Sequence, residues 1–90
     1  MTIMDLPETT RLIQLAEECA ECTQAALKLV RSMHNDTPVD ETTATDNLIE
    51  ELADVRVCMN AVADIAPIDL IVDMAFKKTE RWEKRINGGM

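Results

Sequence analysis

Apolar side chains recur along this chain at intervals of three and four residues, and nowhere do they alternate with a period of two. A spacing of that kind puts side chains on one face of an α-helix, so it admits helices and excludes a half-buried sheet. The first series, Leu12, Leu15, Cys19, Cys22, Ala26, Val30 and Met33, predicts a helix from about Leu6 to His34. Pro7 falls just inside its start, with Asp5 as candidate N-cap and Glu8 at capping-box spacing. The segment from Asn35 to Asp46 has Asp, Thr and Pro but no periodic apolar residue, which predicts a loop. At that length it is long for a helix–helix connection and suits a lid or a crossover.

A second helix is expected from about Asn47, capped by Asp46 or Asn47, with Leu48, Leu52, Val55, Met59, Val62 and Ala66 as its buried stripe and Pro67 as its end. Asp69 is the candidate cap of a third helix carrying Leu70, Ile71, Met74, Ala75, Trp82 and Ile86, stopped by Gly88 and Gly89. The expectation is one all-α domain over residues 1–90, a bundle of three main helices per chain.

Such a bundle is short of core. A chain of 90 residues buries only about 60–65% of its extended surface when folded alone. Phe76 and Trp82 are its only aromatics, so the core falls to Leu, Ile, Val, Ala and Met. The first helix also carries Ile13, Ala16, Ala20 and Leu27 beside its main stripe, an apolar arc too wide for one neighbour. A homo-oligomer, dimer or tetramer, is therefore expected.

Seventeen acids against nine bases give a net charge of −8, which argues against phosphate-neutralising contacts with nucleic acid. The first residues, Met1-Thr2-Ile3-Met4-Asp5, have no basic start and carry an acid where a signal peptide is apolar. The uncharged stretch from Val57 to Ala63 is far shorter than the roughly 20 residues that span a bilayer. Three cysteines are an odd number and few for a disulfide framework. A cytoplasmic protein with reduced thiols, contacting neither membrane nor nucleic acid, is the expectation. Cys19 and Cys22 form a CxxC, but the sole histidine, His34, lies about 18 Å further along a straight helix, too far to complete a zinc site within one chain.

The acids themselves are the main functional signal. Glu18 and Glu21 share one side of the first helix at a spacing of three, and Glu51 and Asp54 repeat that spacing on the second. On a helical wheel Glu51 lies among Val55, Cys58 and Val62, inside the apolar stripe, and Asp54 lies at its edge; Glu50 points the other way. Carboxylates so placed repel one another unless cations are present, and Mg²⁺, or Mn²⁺, suits oxygen donors that must also face a phosphate. The plainer alternative is exposed charge pairs or salt bridges with Arg11, Lys28 or Arg56. The third helix holds five of the nine bases, with Lys78, Arg81 and Arg85 on one face. These could grip phosphate, or merely complement the helix dipole.

Glu17-Glu18-Cys19-Ala20-Glu21 followed by Glu50-Glu51-Leu52-Ala53-Asp54 resembles the paired ExxE and ExxD motifs of the MazG-like all-α nucleoside triphosphate pyrophosphohydrolases. The resemblance runs from about Leu12 to Ile86 and includes a basic closing segment from Lys78 to Arg85, with Thr79 where the family often has asparagine. It implies magnesium ligands at Glu18, Glu21, Glu51 and Asp54, and phosphate contacts from Lys78, Arg81 and Arg85. It further implies hydrolysis of a nucleoside triphosphate between the α and β phosphates, in a dimer or tetramer whose chains complete one bundle. Within that reading Glu18 and Glu21 are the candidates for polarising the attacking water. The alternative is a non-catalytic helical oligomerisation or regulatory module derived from such enzymes.

Overall fold

The computed structural model describes residues 1–88 and contains three α-helices: α1 (Glu8–Met33), α2 (Glu41–Ala61) and α3 (Ile68–Ile86). A single 3-10 turn at Ile3–Asp5 precedes them, and no strand occurs among the described residues. The expected all-α class and the three helices are present, but several boundaries move.

Pro7 occupies the N-cap position of α1, its ring pre-setting φ at −55°. Asp5 does not cap this helix. Its carboxylate closes the preceding turn instead, accepting the Thr2 backbone N–H at 2.7 Å. At the other end Asn35 takes φ 56°, which lets Asn35 N–H reach the Ser32 carbonyl and Asp36 N–H reach that of Arg31. This paired closure satisfies carbonyls that the helix itself leaves free.

α2 starts six residues before the expected Asn47, and the loop expected over residues 35–46 shrinks to residues 34–40. Asp40 caps it, its side chain accepting the Thr43 N–H at 2.7 Å. The first turn is threonine-rich, and the Thr45 hydroxyl bonds back to the Glu41 carbonyl at 2.8 Å. Ala44, 1% exposed, is the turn's one packed residue and lies one helical step before Leu48. A buried alanine is too small a mark to stand out among threonines, which is why the stretch reads as loop. α2 also ends at Ala61, short of the expected Ala66, and residues 62–66 turn the corner. Asp69 sits in the first turn of α3, with Pro67 in the cap position. Gly88 stops the helix at φ 70°, whereas Gly89 lies outside the described residues.

α1 and α2 form an antiparallel hairpin, the start of one beside the end of the other. Its seam is regular. Arg11, Leu15, Glu18, Cys22, Ala25, Leu29 and Ser32 are the buried or half-buried residues of α1. Ala44, Leu48, Glu51, Val55, Cys58 and Val62 run down the facing side of α2 and its end. Both series step alternately by four and three, the spacing of knobs-into-holes packing. The expected α1 stripe is rotated by about one residue from this: Leu12, Cys19, Ala26, Val30 and Met33 are exposed. Apolar residues flank the true seam on α1, while three polar side chains occupy it, so the wheel points to the wrong centre.

α3 packs on neither helix to a comparable extent, and none of its residues is buried. Its foot meets the corner across an open groove of about 470 Å³ lined mainly by Ile65, Pro67, Leu70, Ile71 and Met74, with Lys78 at one end. The Cα radius of gyration is 16.5 Å, against about 12 Å for a compact chain of this length. The chain measures 44 × 39 × 17 Å, a flattened shape with little interior.

Replacing Ala44 by leucine should destabilise the protein by about 1–3 kcal/mol in urea unfolding, the usual cost of overfilling a packed site. A neutral substitution would return the threonine-rich segment to a loop.

Candidate metal centre

Midway along the hairpin, the seam positions that leucine would ordinarily fill are taken by Glu18 of α1 and Glu51 of α2. Asp54, one turn beyond Glu51 and exposed, leans to the same place. One carboxylate oxygen from each of Glu18, Glu51 and Asp54 lies within 4.8 Å of the other two. Donors around a single Mg²⁺ at about 2.1 Å stand up to about 4.2 Å apart, so small side-chain movements close the group on one cation.

The local electrostatics call for one. The Oε2 atoms of Glu18 and Glu51 are buried and have no hydrogen-bond partner. Burial pushes the Glu18 carboxyl above its ordinary range, and the neighbouring charges of Glu21 and Asp54 push it further. Opposing them, the Gln14 amide donates to Glu18 Oε1 at 2.8 Å and favours the charged form. A divalent cation would satisfy the orphaned oxygens and cancel the repulsion together.

Among the described residues no basic side chain pairs with these carboxylates. Arg11, one of the candidate partners, is spent elsewhere: its guanidinium meets both oxygens of Asp64 at 2.6 and 3.1 Å. It also donates to the Ala61 carbonyl at 2.7 Å and the Leu6 carbonyl at 3.0 Å. This is the one ion pair among the described residues, and it holds the Asp64 carboxyl below the usual carboxylate range. Lys28 and Arg56, the other candidates, pair with no acid among the described residues. Cys58, on the same seam, is buried, and that burial pushes its thiol up, aided by the charges of Glu18 and Asp54. It stays a protonated, packed thiol. Neither the cysteines nor His34 join a comparable ligand group among the described residues.

Three of the four expected ligands thus converge and the fourth does not. Glu21 is exposed on α1, near enough to Glu18 to oppose its ionisation yet outside the trio. Lys78, Arg81 and Arg85 are exposed on α3 and form no ion pair with the acids. One contributor, Gln14, went unread in the sequence, and Arg11 was read only as a partner for these acids, not for Asp64. Gln14 stands four residues before Glu18, a spacing that signals a helix-surface hydrogen bond. Arg11 stands seven before it, on the same seam. No known protein family, curated protein or solved structure matches this chain. No described helix is long and apolar enough to cross a membrane.

A pH test isolates the cluster. Because folding raises the pKa of Glu18, its contribution to stability is complete below the ordinary value of 4.5 and is lost as pH rises through the higher folded value. Asp64, whose pKa is lowered, acts oppositely: its contribution is present above 3.8 and fades as pH falls. Glu18→Gln should therefore raise the melting temperature of metal-free protein at pH 7 and leave it little changed at pH 4. Equal shifts at both pH values would detach the effect from ionisation.

Proposed function

We propose that this chain is a divalent-metal-dependent nucleoside triphosphate pyrophosphohydrolase, cleaving between the α and β phosphates to give a monophosphate and pyrophosphate. The observation that carries the proposal is the convergence of Glu18, Glu51 and Asp54, with two buried oxygens left unpartnered, at the centre of the α1–α2 interface, the best packed among the described residues. These are positions of the ExxE and ExxD pattern, on the two helices that the resemblance to MazG-like enzymes requires.

In this reading Glu18, Glu51 and Asp54 hold Mg²⁺ or Mn²⁺, which when bound supplies charge neutralisation for the phosphate oxygens. Glu18 has the second task of orienting and partly deprotonating the attacking water; its raised pKa brings it nearer the range of a working base. Glu21, beside it and open to solvent, serves as an outer acceptor for that water or its hydration shell. Lys78, Arg81 and Arg85 supply the positive charge that a triphosphate needs.

The same proposal includes a homo-oligomer. Leu12, Ile13, Leu27, Val30 and Met33 leave a large apolar surface on α1, and Leu70, Phe76, Trp82 and Ile86 do so on α3. Free thiols at Cys19, Cys22 and Cys58 suit the reducing cytoplasm. A stable 10.1 kDa species in sedimentation at micromolar concentration would refute assembly.

Pyrophosphate release, measured with Mg²⁺ over all common ribo- and deoxyribonucleoside triphosphates, tests the chemistry. Glu18→Gln, Glu51→Gln and Asp54→Asn should each reduce turnover by at least about a hundredfold. Glu50→Gln, an exposed neighbour, should be tolerated. Should Glu50→Gln abolish turnover while Glu51→Gln spares it, the assignment falls. A second reading, a non-catalytic assembly module, draws on the separation of α3 from the acids; it predicts an oligomer that releases no pyrophosphate from any triphosphate.

A further inference from the structure

One line of side chains runs the length of α3 in alternating steps of four and three: Ile68, Val72, Ala75, Thr79, Trp82 and Ile86. That spacing makes the seam of a two-helix coil, with Val72, Thr79 and Ile86 at the a positions of a heptad and the other three at d. All three a residues are β-branched, the preference of parallel two-stranded coils. Thr79 is the seam's polar member, and its hydroxyl is already satisfied, donating to the Ala75 carbonyl of its own helix at 2.9 Å. It needs no further partner to enter an apolar contact.

The chain leaves this line open. Val72 is 44%, Trp82 64% and Ile86 69% exposed, and only Ile68, at the foot, is half-buried. The groove at the corner uses the adjoining face of α3, through Leu70, Ile71 and Met74, and shares only Ala75 with the seam.

The flanks decide what can lie against it. Asp69, Phe76 and Glu83 stand at the e positions, and Ile71, Lys78 and Arg85 at g, so acids line one flank and bases the other. In two parallel copies each g residue meets e of the following heptad. Lys78 of one copy then faces Glu83 of the other, and Ile71 faces Phe76, each contact occurring twice by symmetry. Two antiparallel copies bring like flanks together, with Lys78 against Lys78 and Asp69 against Glu83. Charge therefore selects the parallel arrangement. Neither Lys78 nor Glu83 forms an ion pair among the described residues, so both are free to make it. Arg81 lies off the seam and its flanks and is not engaged.

We infer that α3 pairs in parallel with α3 of a second copy, about a twofold axis running along the two helices, with Lys78–Glu83 bridges on both sides of the apolar seam. Both corners then lie at the same end of the pair, and each hairpin departs from it there. The inference goes beyond self-assembly by fixing the face, the orientation and the register, and it depends on no chemistry at the carboxylates.

A thiol at the seam reads the orientation. Full-length Thr79→Cys, oxidised with glutathione disulfide, should join position 79 of one copy to position 79 of the other, as located by peptide mass. Thr79→Cys that links only to Ala75→Cys, in a mixture of the two variants, is the antiparallel signature and overturns the inference. An oligomer that links through neither position assembles by another face, such as that of α1, and overturns it as well. Charge reversal reads the bridges. Lys78→Glu or Glu83→Lys alone should weaken self-association in sedimentation about fivefold or more, because two like-charge contacts replace two bridges. The double reversal rebuilds both bridges with exchanged polarity and should return to within about twofold of wild type. Lys78 and Glu83 are five residues apart, too far round one helix to pair within it, so this rescue reports contact between copies. A double variant that associates as weakly as the single ones overturns the inference.

Discussion

The Arg11 guanidinium ties together four parts of the chain. It donates to the carbonyl of Leu6 before α1, to that of Ala61 at the end of α2, and to Asp64 in the corner, while resting near the Met4 sulfur. The Ala61 carbonyl is among those α2 leaves free, so a charged donor there both satisfies it and favours the negative helix end. The same contact sets the rotation of α1. Arg11 and Glu18 are one heptad apart, so turning Arg11 toward α2 turns Glu18 toward it as well. Removing the guanidinium would loosen the helix end, the corner and the carboxylate site together.

That rotation places charge where packing would prefer oil. Glu18 and Glu51 displace apolar side chains from the middle of the seam, and the strain appears as two unpartnered oxygens and a carboxyl reluctant to ionise. Around them most of the fully buried apolar residues are small: Ala25, Ala44, Cys58 and Ala61. Small residues let the helices approach closely enough for carboxylates from both to meet. Stability is therefore conceded at the position where a cation would return it, a pattern found where structure serves binding rather than folding.

α3 shows the complementary deficit. It is a long amphipathic helix whose apolar side has no large surface in its own chain to cover it, which is why the molecule is extended for its length. Among the described residues its basic side chains form no ion pair, and neither do the acids of the cluster. Two unmet needs of opposite sign thus stand on elements that do not pack together.

Much was legible in the residues alone. The three-and-four spacing determined an all-α chain of three helices, because that period cannot line one face of a strand. Pro7 marked the start of α1 and Pro67 the end of the second helical run, since proline fits a helix only at its beginning; that Pro67 also caps α3 came from the structure. Glu51 within an apolar stripe was visible as well, since the wheel sets it among Val55, Cys58 and Val62. The centre of the α1 seam was not, because that helix is apolar over a broad arc and periodicity cannot choose among its faces. Tertiary structure made the choice through Arg11, bringing Glu18 inward and leaving Glu21 outside. The early start of α2 was equally hidden, resting on Asp40 as cap and on Ala44, which needed α1 opposite it to count as core. Local sequence determines which segments coil; which side of each coil faces inward is decided by long-range contacts such as Arg11 to Asp64, whose partners lie 53 residues apart.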